Sequence, residues 1–421
     1  MAVRIGRSAG GPIDARVEVP GSKSLANRAL VCAALARGRS QLRRVPGGDD
    51  TAAMLDCLDR LGVATRSAGD VVVVHGGGGE LAPGPLTLPA RLAGTTSRFV
   101  TAVAALGPGP YVVDGEAPLR SRPMAPLHDA LSSLGVSVRP LATPGHLPVE
   151  ITGTPTTGSH VVRMRGDVSS QYVSALMMIG PSLDAGLVIE LSTALVSRPY
   201  VQLTAAVMAS FGAVDVEIGE DRIAIRAGTY RATAYEIEPD ASSASYPLAA
   251  AAVCGGRVSI PGLHRGALQG DVAVVDLLAA MGCEVTDAGD GLTVSGDGTL
   301  VGIDVDMSDV SDLVPTIAAV AAFASTPTRI RGVGFIRGKE SDRIGDLCGE
   351  LRVAGVDALE HDDGLSIVPG VAHAAQLRVH HDHRLAMAFG VIGSRVAGIE
   401  IDDPAVVSKS WPGYWSMLEA L

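Results

Sequence analysis

Apolar positions at helical spacing end the same way again and again along this chain: Leu, Met, Phe or Ala, then glycine, then Val, Ala or Cys. The glycines are Gly62, Gly135, Gly212, Gly282 and Gly355, spaced by 73, 77, 70 and 73 residues. A glycine just past the last apolar position is a helix stop, because glycine takes the left-handed conformation without a Cβ penalty. A sixth such helix is predicted at 414–421. Short apolar segments follow the five glycines, at 71–74, 149–151, 223–225, 292–294 and 365–368. Turn signals such as Gly69-Asp70, Asp290-Gly291 and Asp363-Gly364 precede them, which predicts hairpins. The sixth helix has no hairpin after it, whereas residues 1–20 read as two strands around Gly10-Gly11 with no helix before them. The simplest closure lets residues 1–20 complete the sixth unit.

A second helix type interleaves with the first. It opens on small polar or charged residues and continues rich in alanine. Marked by Ser22, Thr95, Ser169, Ser242, Ser311 and His383, its copies are separated by 73, 74, 73, 69 and 72 residues. Short strands are predicted after it, for example at 111–114, 187–191, 258–260 and 399–402. The unit is therefore helix, strand, helix, hairpin. A period near seventy is too long for a solenoid repeat and too short for two independent domains per unit. Six units in two groups of three predict an α/β protein of two domains. One domain is 21–238. The other joins 1–20 to 239–421, with crossings near Pro20 and Pro239. Two crossings make a hinge, and a hinge over a cleft suits closure on a ligand.

Composition narrows the partners. The 421 residues are 47% hydrophobic but only 3% aromatic, so Ala, Val and Leu must fill the core. With 34 basic and 45 acidic residues the net charge is −11, which argues against nucleic acid or an anionic membrane as the main partner. An anionic ligand must then be met by a local cluster of bases. The five cysteines are scattered, with no CxxC pair and no histidine at zinc spacing, so reduced thiols and no metal are expected. The opening MAVRIGRSAG has no signal-type apolar segment, and the apolar runs 248–254 and 317–324 are too short for a bilayer. A cytoplasmic protein is the expectation. Gly76 to Gly79 lacks the Lys-Ser/Thr of a phosphate loop, and Asp304, Asp306 and Asp309 lack the glycine and terminal glutamate of a calcium loop.

The candidate chemistry sits at two places in each unit. One is the start of the polar helix, where free backbone N–H groups carry partial positive charge. In GSKSLANRAL, Ser22 is a natural N-cap, and Lys23 and Arg28 add two full charges close by. The other place is the loop before the second helix. It holds Arg120 and Arg122, Ser197 and Arg198, Lys339, Glu340 and Arg343, or Lys409, depending on the unit. Any one of these alone would be an ordinary solvated charge or cap. Their recurrence at equivalent positions predicts a site for substrates bearing several negative charges.

These stretches are PGSKSLANRAL at Pro20, LAGTTSRF at Leu92, SRPM at Ser121, GDVSSQYVSALMM at Gly166 and SRPY at Ser197. They continue with DASSASY at Asp240, GKESDR at Gly338, HDHRLAM at His381 and SKSWPGYW at Ser408. Together they resemble the enolpyruvyl transferases over the whole chain, and specifically the EPSP synthase (3-phosphoshikimate 1-carboxyvinyltransferase) family. The resemblance implies two domains, each of three βαβαββ-like units arranged as an inside-out α/β barrel. It implies transfer of the enolpyruvyl group of phosphoenolpyruvate to the 5-hydroxyl of shikimate 3-phosphate, in the route to chorismate and the aromatic amino acids. It further implies a monomer, no cofactor, and glyphosate as a competitor. By motif, Ser24, Arg28, Ser169, Ser170, Ser197 and Tyr200 resemble the shikimate-phosphate ligands, with Gln171 under the ring. Lys23, Gly94 with Thr95, Arg122, Arg343, Arg384 and Lys409 resemble the phosphoenolpyruvate clamp. Asp312 resembles the carboxylate that holds and deprotonates the hydroxyl. Glu340 resembles the proton donor to the methylene carbon. Lys339 resembles a ligand on the hydroxyl side, and His383 a partner at the reacting centre or directly behind it. Leu92 and Phe335 depart from the family pattern, which leaves another cyclitol phosphate open as the acceptor. The related UDP-N-acetylglucosamine enolpyruvyl transferases carry a loop cysteine in the second unit, where this chain has none between Cys57 and Cys254.

Overall fold

A computed structural model describes residues 3–4, 11–213 and 215–421. The chain divides into two compact units, Met1–Pro20 with Glu238–Leu421, and Gly21–Ile237. Among the described residues each unit carries three sheets. In the Gly21–Ile237 unit each sheet has a parallel pair followed by an antiparallel hairpin. In one, Leu86–Pro89 runs parallel to Tyr111–Asp114, which pairs antiparallel with Val149–Thr152, itself paired with Ser137–Pro140.

The five glycine stops are built alike. Gly62, Gly135, Gly212, Gly282 and Gly355 have φ between +86° and +110°. In each case the next residue donates its N–H back five residues, as Val63 does to Leu58 O (3.0 Å) and Val356 to Leu351 O (2.9 Å). This Schellman geometry satisfies carbonyls the helix leaves open and turns the chain into the hairpin.

The polar helices form the two cores. Lys23–Leu35, Gly94–Ala104 and Ser170–Ile179 pack on one another in one unit. Ala241–Cys254, Val314–Ala321 and His383–Arg395 do so in the other. These helices are buried nearly all round, and the alanines let their backbones approach. Aromatics concentrate at one point. The Tyr414 ring meets Tyr246, Trp411 and Trp415 edge-on at 5.7, 5.6 and 4.9 Å, and its hydroxyl donates to Met387 O. That cluster ties the last helix, Tyr414–Ala420, to the helix that begins with His383 and Arg384.

The N-terminal segment departs from the expected closure. Val3–Arg4 pairs with Ile399–Ile401 and so does supply the missing antiparallel strand of the sixth unit. Ile13–Arg16 instead runs parallel to Gly256–Pro261 in the fourth unit. The predicted turn residue Gly10 lies outside the described residues. The reason is an exchange of strands. The strand preceding the fourth polar helix, Ala234–Glu236, stays in the Gly21–Ile237 unit beside Arg37–Arg43. The place beside Gly256–Pro261 is therefore taken by the strand that precedes the first polar helix. A period-two pattern reports which face of a strand is buried and carries nothing about its partner. Among the described residues no helix is long and apolar enough to cross a membrane.

Candidate active site

In the Gly21–Ile237 unit the helix starts are joined by side chains. Ser22 caps the first helix by accepting from Leu25 N, and Ser169 caps the third by accepting from Gln171 N. Lys23, on the first turn, puts its Nζ 3.1 Å from the buried Asp50 carboxylate. The Asp50 carbonyl in turn accepts from Thr96 Oγ1 at 3.0 Å, next to Gly94 and Thr95. Gln171 Nε2 donates to Thr95 Oγ1 at 3.4 Å. These bonds bring Lys23, Gly94, Thr95, Ser169, Ser170 and Gln171 together. Arg122 joins them: a methyl group built on Gly94 would stand 2.6 Å from Arg122 Nη1. Ser197 is buried with φ +53°, a left-handed conformation that serine rarely adopts and that marks a constrained position.

Two basic residues of this unit are placed differently. Arg28 lies beneath the helix start, 2% exposed. Its guanidinium donates to Thr204 Oγ1 (2.7 Å), Ser24 O (2.9 Å), Ser174 Oγ (3.2 Å) and the Tyr200 carbonyl (3.4 Å). It also stacks over Phe99 at 5.2 Å and Tyr200 at 5.9 Å. Burial pushes it down to about 10, so it remains charged at neutral pH. Two of these four contacts go to the Ser24 and Tyr200 carbonyls and tie the guanidinium to both residues. Arg120, in the loop with Arg122, is an exposed ion pair with Asp114 at 2.6 Å and stands apart from the cluster.

The other unit holds a denser network. Arg343, 1% exposed, is its hub. Its Nε donates to Asp382 Oδ2 at 2.6 Å, Nη1 to Asp312 Oδ1 at 2.9 Å, and Nη2 to Glu340 Oε2 at 2.8 Å and Asp382 Oδ1 at 3.2 Å. Asp312 Oδ2 accepts from Arg384 Nη2 at 2.8 Å, and Lys339 Nζ lies 3.8 Å from Asp312 Oδ1. Lys409 Nζ lies 3.5 Å from Glu340 Oε1. Asp382 caps the His383–Arg395 helix by accepting from Arg384 N at 2.8 Å, which aims Arg384 at Asp312. His383 is buried, its Nδ1 3.7 Å from Asp382. Phe335 packs against the core, and the Lys339 ammonium rides 5.9 Å over its ring.

The charges dictate protonation. Burial alone would push the Asp312 carboxyl up, but Arg384, Lys339 and Arg343 outweigh it and hold the group well below the usual carboxylate range. Burial would lower Arg343, but Asp382, Glu340 and Asp312 raise it far above its ordinary value. Among the described residues no group of three or more His, Cys, Asp or Glu is placed to hold a metal ion. The arrangement can bind anions through Lys and Arg and can offer two carboxylates, Asp312 and Glu340, for proton transfer.

Three carboxylates of this architecture escaped the sequence reading as site residues: Asp50, Asp382 and Asp271. Each begins or adjoins a helix start, where an acidic residue reads as ordinary dipole compensation. Only their contacts to Lys23, Arg343 and Ser242 reveal more.

The comparisons with known proteins agree with this geometry. A family model described as EPSP synthase (3-phosphoshikimate 1-carboxyvinyltransferase) matches residues 8–418. The 3-phosphoshikimate 1-carboxyvinyltransferase of Nostoc punctiforme is 42% identical over 408 residues, covering 96% of each chain. That of Methanoculleus marisnigri is 40% identical over 420 residues, covering 99% of each. Among solved structures, EPSP synthase from Acinetobacter baumannii superposes with a TM-score of 0.81 at 25% identity, covering 99% of this chain and 96% of that one. A six-fold repeat in two units, cations gathered at the helix starts and full-length relatives all lead to one place: this chain belongs to the EPSP synthase family.

Proposed function

We propose that the two clusters described above carry out the family's reaction in this chain, each supplying part of the ligand set. The reaction transfers the enolpyruvyl group of phosphoenolpyruvate to the 5-hydroxyl of shikimate 3-phosphate and releases phosphate. A hydroxyl oxygen bonds to the central carbon while the methylene carbon takes a proton. Phosphate then leaves with its bridging oxygen, and the methylene is restored by loss of a proton. Such a sequence needs a base, an acid and cations around a crowded anionic centre.

In this reading Ser24, Ser169, Ser170, Ser197 and Tyr200 hold the phosphate and hydroxyls of shikimate 3-phosphate, with Gln171 beneath its ring and Arg28 bracing Ser24 and Tyr200. Lys23, Gly94, Thr95, Arg122, Arg343, Arg384 and Lys409 receive phosphoenolpyruvate. Asp312 takes the hydroxyl proton with Lys339 beside it. Glu340 protonates the methylene carbon, and His383 supports Asp382. The observation that carries most weight is Asp312 suspended between Arg343 and Arg384. As it stands it is a poor base, because three cations stabilise its charge. A substrate anion that shares those cations weakens their hold and raises its proton affinity. Docking of the anion and activation of the base are thus one event.

The direct test is phosphate release from the two substrates, with Asp312→Asn as the partner measurement. Turnover by the natural chain and its loss in the variant are expected; equal rates would remove Asp312 from the reaction. The chain crosses between its two units twice, at Pro20 and at Ile237-Glu238. The enzyme works as a cytoplasmic monomer, and light scattering should return the mass of one chain.

A further inference from the structure

We propose that Asp271 is a positioning residue of the transfer site, which acts through Ser242 to fix the Arg384 guanidinium against Asp312. The inference rests on the placement of Arg384 and Asp312 in that site.

Asp271 lies on the one-turn helix Gly270–Ala273, buried at the foot of the Ala241–Cys254 helix. Its Oδ2 accepts a hydrogen bond from Ser242 Oγ. Arg384 Nη2 reaches the same Ser242 Oγ at 3.4 Å while donating to Asp312 Oδ2 at 2.8 Å. A chain of contacts therefore runs from Asp271 through Ser242 and Arg384 to Asp312. The turn that bears Asp271 is itself pinned to the helix start. Gln269 Oε1 accepts from Ala241 N at 3.0 Å, and Gln269 Nε2 donates to Pro239 O at 2.8 Å and Glu238 Oε2 at 3.0 Å. The first repeat joins the same pair of elements by another contact, Lys23 to Asp50 at 3.1 Å. A carboxylate at this place is thus a recurring device for holding a helix start.

Ser242 has one proton and two lone pairs. With Asp271 ionised, the proton points to Asp271 and the lone pairs are left for the Arg384 N–H. A proton on Asp271 reverses this. The acid then donates to Ser242 Oγ, and the serine proton turns toward a guanidinium that has only donors. Arg384 is aligned when Asp271 is a carboxylate and disturbed when it is an acid. The groups facing Asp271 are Ser242, Arg384, Asp312 and Asp240. Burial first, then the charge of Asp312, pushes the Asp271 carboxyl up to about 6, so the change falls within the range where the enzyme can be assayed.

The test is steady-state kinetics of the full chain between pH 5 and pH 8 for the natural protein, Asp271→Asn and Ser242→Ala. The substrates' own phosphate ionisations are common to all three and cancel in the comparison. The natural protein should lose kcat below about pH 6. Asp271→Asn keeps an oxygen for Ser242 but cannot take the proton, so its acid limb should flatten. Ser242→Ala breaks the link with Asp271 intact. It should lower kcat between about 10- and 100-fold at pH 7.5, as expected for a displaced catalytic group, with a smaller change in KM and a flattened acid limb. An acid limb in Asp271→Asn that matches the natural protein, or a Ser242→Ala kcat within about twofold of it, overturns the proposal. Absence of turnover in the natural protein would overturn the function itself, and this inference with it.

Discussion

Arg343→Lys keeps the charge of the hub and removes its shape. Arginine reaches Asp382, Asp312 and Glu340 at once, with four N–H···O contacts between 2.6 and 3.2 Å. A lysine gathers its donors on a single atom and cannot span three carboxylates placed around a planar fork. At least two charge-assisted hydrogen bonds are then lost, each about 1.5–3 kcal/mol. The fully buried Asp382 is left short of a partner, for which a broken buried pair suggests about 3–5 kcal/mol. The loss in stability should be of that order. The loss in rate should be about 100-fold or more in kcat/KM, because Asp312 and Glu340 both shift from the positions Arg343 sets. Both tryptophans, Trp411 and Trp415, lie in the same unit and pack on Tyr414, so denaturant unfolding followed by tryptophan fluorescence reports on the correct part of the chain. Phosphate release measures the rate. A lysine variant within about threefold of the natural protein in kcat/KM, with an unmoved unfolding midpoint, would refute the hub.

Lys23→Ala and Arg122→Ala should each lose at least about two orders of magnitude in rate, consistent with ~3 kcal/mol or more for a charge-assisted contact to a desolvated anion; near-natural kcat/KM would remove that residue from the site. Gly94→Ala should raise the inhibition constant for glyphosate by about 10- to 200-fold more than KM for phosphoenolpyruvate. Gly94 has an ordinary φ, so the added methyl acts by pressing on the flexible ends of Arg98 and Arg122 at 2.5 and 2.6 Å rather than by straining the backbone, and equal shifts of the two constants would contradict this. Asp271→Asn should stabilise the fold by on the order of 3 kcal/mol above pH 6, since a carboxyl raised to about 6 in the folded chain costs stability once ionised; the gain should shrink as pH falls from about 6 to about 4. A gain in unfolding free energy that stays level over that range would show that the buried charge is not its source.

Repetition made the architecture legible. One Schellman glycine is a weak signal, but five at a common period place five of the six helices of this type with the hairpins that follow them, and the structure has all five in the left-handed conformation. The exchange of Ile13–Arg16 with Ala234–Glu236 was not legible. Both are short strands ahead of a polar helix, and either sheet offers each the same parallel edge. Which edge is taken depends on how the whole chain crosses between its units, and no local pattern records that.

The cations were legible from their recurrence at helix starts, and Asp312 and Glu340 from their motifs, whereas Asp50, Asp271 and Asp382 were not. Yet burial makes the carboxylates necessary. A guanidinium as enclosed as Arg343 cannot stay charged on hydroxyls and carbonyls without a fall in its proton affinity, which is what Arg28 shows. Arg343 sits just as deep, but with Asp382, Asp312 and Glu340 around it its proton affinity moves the other way. The difference separates two uses of a buried arginine in one chain. Arg28 braces a helix start through neutral partners. Arg343 spends its charge on three acids, and in doing so it sets where Asp312 and Glu340 stand. A sequence shows both as basic residues near a motif; only the identity of what surrounds them assigns one to the bracing of a helix start and the other to the placement of two carboxylates.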